Sequence, residues 1–428
     1  MALPGTLDEE TSMARTARDK AYRTFSAALA LAALMAGPAS ATTFTVLHDF
    51  TGPEGMRPQT TLLRDAQGNL FGTALQGEPK KSTGMVFELT PKGRLIVVHA
   101  FRGHADGSNP WYSTVIADPA GNLYGTTTTG GKPIGAKGGT VFKITPGGTE
   151  SLLHLFPGVP DGRSPVAGLA MDASGNLYGT TQVGGTTQCA VPLPRRGCGT
   201  AFKLAPDGTE TVLHAFEGPP DGIGLSGGGV LADGAGNIYG VTADGGTSGN
   251  CGSGCGTVFE ISAGGVYTVL YNFQGVTAST SDGSSPGSPL IADDAGNLYG
   301  TTYSGGSTSC SQCGSIFKLA PGGTETVLYA FQGGSDGRNP NGGLVRDAQG
   351  NLYGTASAGG DLRCIRKTSC GLVFRLAPDG TFTILHAFEK ADGIYPMAGL
   401  TIDADGNLYG TASQGGAFNQ GTVFELTP

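Results

Sequence analysis

Gly68-Asn69-Leu70-Phe71-Gly72-Thr73 returns six more times with little change, beginning at Gly121, Gly175, Gly236, Gly296, Gly350 and Gly406. The steps are 53, 54, 61, 60, 54 and 56 residues. Seven copies at that period, running through nearly the whole of a 428-residue chain, mark one array of supersecondary units. Three further marks travel with each copy: an apolar stretch ending in Asp, a Gly-x-Val-Phe-Lys/Glu-Leu segment, and a Val-Leu-His-Ala-Phe segment. Each unit therefore carries four short apolar segments separated by Gly, Pro, Asp and Asn, which is the pattern of four strands joined by turns. They are called here strands a (ending at the Asp), b (Leu-Tyr-Gly-Thr), c (Val-Phe-Lys-Leu) and d (Val-Leu-His-Ala-Phe).

Strands c and d alternate with apolar groups on both sides, as in Phe142 and Ile144 against Val141 and Lys143. A sheet covered on both faces, in four-stranded units repeated seven times, predicts an all-β, seven-bladed β-propeller. The chain after residue 41 opens on a lone strand d, Thr43 to Phe50, and stops on a strand c, Phe424 to Pro428. The first strand is thus expected to complete the last blade and remove the exposed edges. Loop lengths assign the faces. Strand a to b and strand c to d steps are constant, whereas the b to c steps run from 11 to 20 residues and the d to a steps from 15 to 20. In an antiparallel blade these two variable loops share one rim, so that rim is the expected binding face.

Residues 1–41 read as an export signal, with Arg15, Arg18, Lys20 and Arg23 ahead of the apolar run Phe25 to Met35 and a small-residue cleavage pattern Ala39-Ser40-Ala41. Residues 42–428 would be a single propeller domain. The apolar run is shorter than a bilayer span needs, so no membrane span is expected after cleavage. The net charge of −8 and pI near 5.3 leave no basic stripe for nucleic acid. Eight cysteines fall as Cys189/Cys198, Cys251/Cys255, Cys310/Cys313 and Cys364/Cys370, each pair within a b to c loop. An even count, local pairing and an exported chain favour four disulfides over a zinc site or a redox pair. These four staples are expected on the same loop face as the ligand.

No Gly-x-Ser-x-Gly, His-Glu-x-x-His or phosphate-cradling loop is present. His48, His99, His154, His214 and His386 share one strand d position that holds Tyr271 and Tyr329 elsewhere, which favours packing over metal ligation. His104 reads as a solvated loop residue. Asp403-Ala404-Asp405-Gly406-Asn407 lacks the ligands of a calcium loop and reads as a tight turn, like its six equivalents. Candidate ligand-binding residues are those that break the repeat or ring the variable face: Trp111 and Tyr112, the Asp-Gly carboxylates Asp106, Asp161 and Asp336, and Arg64 and Arg346, which would face the channel if strand a is innermost. Arg195, Arg196, Arg363, Arg366 and Lys367 add charge to two disulfide loops.

The signature Gly121 to Thr127, Gly130-Gly131 and Gly139 to Pro146 resembles the GloVer-type, or choice-of-anchor, tandem repeat of exported bacterial proteins. The core Asp-x-x-Gly-Asn-Leu-Tyr is similar to NHL-type and lactonase-like propellers. The first resemblance implies a secreted, periplasmic or surface protein, although the C-terminal sorting anchor of its relatives is not matched here. The second implies a metal-assisted hydrolase or lyase, with a divalent cation held in the channel. The residues themselves favour a non-catalytic, monomeric binding protein for a glycan, peptide or cell-envelope component, with no cofactor. A purely structural envelope protein is the remaining alternative.

Overall fold

Every residue of the recurring motif has a place in the folded unit. In the a to b turn of blade 2, Asn122 donates from its backbone and side-chain nitrogens to the two carboxylate oxygens of Asp118, and Gly121 closes the turn at φ +79°. Tyr124 donates its hydroxyl to the same carboxylate at 2.9 Å. The second glycine of the motif needs space: a Cβ on Gly125 would lie 2.6 Å from Phe142 of strand c. Thr126 then reaches out of its blade and donates to the Ala167 carbonyl of the next. The equivalent Thr73, Thr301, Thr355 and Thr411 make the same kind of bond, Thr411 of blade 7 bonding the Thr60 carbonyl of blade 1. One six-residue motif thus makes the turn, seats the neighbouring strand and ties blade to blade.

In the computed structural model, which describes residue 1 and residues 42–428 apart from 78–82, 104–105, 132–137, 187–188, 190–196, 224, 226–227, 278–280, 362–363 and 365–368, the protein is a seven-bladed β-propeller of four-stranded antiparallel blades. Blade 2 shows the plan: Ile116–Ala117, Leu123–Thr127, Thr140–Ile144 and Glu150–Leu155 are its strands a to d. In blade 7, strands Thr401–Ile402, Leu408–Ala412 and Thr422–Thr427 are followed outward by Thr43–Asp49, which pairs antiparallel with Thr422–Thr427. Thr43–Thr427 forms one compact unit. Its core lies between blades, where the strand c and strand d phenylalanines such as Phe142, Phe156, Phe202 and Phe216 are almost fully buried. No helix among the described residues is long and apolar enough to cross a membrane.

Two features depart from the sequence reading. Strand d does not alternate strictly, because a bulge follows its third or fourth residue: Leu152 opposes Phe142, His154 opposes Val141, and Leu153 is the extra residue. A bulge re-aims the side chains that follow it, and here it turns the His or Tyr position toward the d to a loop. The predicted leader, His104 and the charged residues Arg195, Arg196, Arg363, Arg366 and Lys367 lie outside the described residues.

The second departure concerns the cysteines. All four pairs are joined as expected and no free cysteine remains, which sets aside the zinc and redox readings. However, Cys198, Cys255, Cys313 and Cys370 are not on the binding face: all four are fully buried. Each directly precedes the glycine that opens strand c, Gly199, Gly256, Gly314 and Gly371, so the chain has already passed beneath the loop and into the interblade core. There Cys198 clusters with Phe216, Cys255 with Phe273, Cys313 with Phe331 and Cys370 with Phe388. These four are packing residues, and each bridge pins its loop to the core from below.

Candidate functional site

The residues at or just before strand a, from all seven blades, line one central cavity of 210 Å³, which makes strand a the innermost strand. Chain geometry at this rim repeats. A residue at positive φ precedes a proline in six blades: Arg57, Asn109, Ser164, Ser285, Asn339 and Tyr395. This left-handed turn carries each d to a loop over the rim and into strand a. From that proline to the Asp ending strand a the chain takes seven residues in five of the six blades that have one, but eight in blade 2, from Pro110 to Asp118. The extra residue makes Trp111-Tyr112 stand where the other blades place one residue, such as Gln59, Val166, Gly287, Asn341 or Met397.

The insertion builds an aromatic platform. Tyr112 sits at φ +52°, a conformation unusual for a bulky residue, and its ring stacks on Trp111 at 5.6 Å and 16°. Trp111 is 47% exposed. Across the channel, Asn341 of blade 6 donates to the Tyr112 hydroxyl at 3.4 Å. Burial pushes the Tyr112 phenol above its ordinary value, so it remains a neutral hydrogen-bonding group. Beside the channel, Trp111, Tyr112 and Asn341 join Thr128, Thr129, Ser164, Val166, Gln182 and Gly287 around a second cavity of 410 Å³. Tyr112 and Asn341 belong to both cavities, so the two form one groove leading from the loop face into the channel. Tyr303, 44% exposed, adds a third aromatic electrostatically close to Tyr112.

The chemistry of the groove is neutral. Its described lining residues supply amides, hydroxyls and apolar surface, and include no Asp, Glu, His, Cys, Lys or Arg. The side-chain carbonyl of Gln59 is buried there without a hydrogen-bond partner. The carboxylate and histidine ligands that a channel metal would require are not among those lining residues.

The other predicted residues lie elsewhere. Arg64 does not line the channel; it pairs with Asp403 at 3.6 Å and covers Tyr409, both of the preceding blade, at the a to b turn. Arg346 lies against Gly350 of its own a to b turn and is electrostatically close to Tyr299 of the preceding blade. Both short strands direct these arginines to the invariant face, because Arg64 and Arg346 are the last residues of strand a. The Asp-Gly carboxylates and the strand d His or Tyr residues, read separately in the sequence, are one unit. Asp106 accepts from the Arg102 amide and lies 3.4 Å from His99, and Asp336 accepts from the Gln332 amide and the Tyr329 hydroxyl. Tyrosine substitutes for histidine because either can hydrogen-bond the same carboxylate. Asp106 and Asp336 are therefore occupied in holding the loop, and Asp161 is the exception.

A seven-bladed propeller with a neutral aromatic groove on its variable-loop face defines the structural class. A family model for the Gloeobacter/Verrucomicrobia repeat matches residues 33–192 and 194–424, and the chain belongs to that family. No curated protein sequence matches it. Among solved structures, the extracellular domain of a one-component system from B. thetaiotaomicron superposes with a TM-score of 0.51 over 89% of this chain, at 11% identity. This chain spans 39% of that structure's chain, and the likeness is one of fold. A gluconolactonase from Xanthomonas campestris gives a TM-score of 0.40 at 13% identity, covering 73% of this chain and 85% of its own.

Proposed function

We propose that this is an exported binding protein that takes an uncharged carbohydrate chain in the groove between Trp111 and the central channel. The exposed Trp111 ring stacked on Tyr112 carries this reading, since sugar rings present apolar faces that pack on aromatic side chains while their hydroxyls need amide and hydroxyl partners. Asn341, Gln182, Thr128 and Thr129 are of that kind. A phosphorylated or carboxylated ligand would find no cation in the described lining. Four disulfides, the usual mark of an oxidising compartment, brace b to c loops on this rim.

A glycan array probed with the oxidised protein tests the reading. Neutral oligosaccharides are expected to bind in preference to acidic ones, and Trp111→Ala to weaken binding more than about tenfold, as loss of a central aromatic anchor does. Its denaturation midpoint should stay put, because the indole is half exposed. Retention of all glycans by Trp111→Ala, or a preference for acidic ones, would overturn the proposal.

A further inference from the structure

The outer rim holds a second chemistry at the junctions between blades. There the residue four before the His or Tyr of one strand d lies toward the His or Tyr of the preceding blade's strand d. Three junctions are sealed by ring stacking: Tyr267 on His214 at 3.8 Å, Phe382 on Tyr329 at 4.0 Å and Phe44 on His386 at 3.7 Å. Three others bring a glutamate instead, Glu150, Glu210 and Glu325. At one of them the ligand atoms converge. A ring nitrogen of His154, an Asp161 carboxylate oxygen and a Glu210 carboxylate oxygen all lie within 4.8 Å of one another.

Two observations bear on this cluster, the first shared with His99 and Glu150 at the preceding junction and the second particular to this loop. The Nε2 of His154 and the Oε1 of Glu210 are inaccessible to solvent yet have no hydrogen-bond partner, a cost that native interiors rarely leave uncompensated. Asp161, moreover, has lost the donor that anchors its equivalents. In the other six loops the residue after the strand d Phe gives its backbone N–H to the loop carboxylate, as Arg102, Glu217, Gln332 and Glu389 do. In this loop that residue is Pro157, which has no N–H. His154 and Asp161 accordingly stand 4.0 Å apart, against 3.0 Å for His214–Asp221 and His386–Asp392.

We infer that His154, Asp161 and Glu210 form a binding site for a divalent first-row transition ion, clamping blade 2 to blade 3. One imidazole nitrogen and two carboxylate oxygens suit zinc or manganese better than calcium, which prefers an all-oxygen shell. Bonds of about 2.1 Å would draw the three groups together by roughly 1 Å, within the reach of side-chain rotation, and leave positions for water. Asp161 is 29% exposed along its side chain, so an ion can enter from solvent. This site is remote from the neutral groove in chemistry and position, and its fate does not depend on the carbohydrate reading.

The test is calorimetric titration of zinc chloride into the oxidised, chelator-treated protein carrying no polyhistidine tag. One equivalent of zinc is expected to bind and to raise the melting temperature by several degrees. Glu210→Gln should weaken binding by about 100-fold, as should Asp161→Asn, a surface-loop change that keeps the carbonyl oxygen and serves if Glu210→Gln does not fold. Glu150→Gln, at the junction where Arg102 anchors Asp106, should bind zinc like the parent. No saturable uptake by the parent, or equal uptake by both ligand variants, would overturn the inference.

Discussion

Gly300→Ala is expected to destabilise the protein by about 1–3 kcal/mol, the usual penalty for overfilling a packed interior. A Cβ at this position would stand 2.7 Å from the Phe317 ring and 2.9 Å from Leu290, and both neighbours are buried with no room to move. The cost is steric, since Gly300 is not in the left-handed region, unlike Gly296 at φ +78° in the turn just before it. In a Phe317→Leu background, where the ring that the new methyl meets is gone and only the Leu290 contact remains, Gly300→Ala should cost less than it does in the parent. Gly296→Ala should cost the same in both backgrounds. Chemical denaturation of the parent and the five variants measures this, and an equal penalty for Gly300→Ala with and without Phe317 would refute the packing account of the motif.

Glu325→Gln should do the reverse and stabilise the protein at high pH. Burial, and secondarily the carboxylate of Asp282, push Glu325 up from about 4.5 to about 7. Burial raises Asp282 as well. A carboxyl that binds its proton more tightly when folded contributes stability that is full below the unfolded value of about 4.5 and is lost as the pH rises through about 7. A tenfold change in proton affinity corresponds to about 1.4 kcal/mol, but the water that still reaches a half-buried carboxyl screens the repulsion. The expected gain is therefore about 1–2 kcal/mol near pH 8 and close to zero near pH 4. Denaturation midpoints of parent and variant across that range decide it: a difference that does not grow with pH would show that Glu325 is not held against its charge.

The architecture was legible because each of its determinants is local and repeated. Asp118, Gly121, Asn122 and Tyr124 lie within seven residues and build their turn among themselves, so seven copies announce seven turns. Each disulfide spans nine residues or fewer, which is why spacing alone paired the cysteines. Spacing could not say that the second cysteine of each pair is core, because its burial comes from the neighbouring blade's packing. The site was legible only in its break with symmetry. Trp111 and Tyr112 stood out as residue types, and counting from Pro110 to Asp118 would have exposed the inserted residue that lifts them over the channel. What stayed hidden depends on how blades twist. The start of one strand d meets the end of the preceding one, so Glu210 reaches His154 and Phe44 reaches His386 across 56 and 342 residues of sequence, with no local pattern to signal it. The end of strand a likewise turns Arg64 toward Asp403 and away from the channel, a direction set by the neighbouring blade.

Trp111 is the chain's single tryptophan, and its emission reports the groove without a label. Titration with a neutral oligosaccharide selected on the array, followed by acrylamide quenching of the complex, is the most direct test of the binding account. The account predicts a saturable change in Trp111 emission, and protection of the half-exposed indole from the quencher once ligand is bound. Saturable glycan binding that leaves both emission and quenching unchanged would place the ligand elsewhere on the propeller and contradict it.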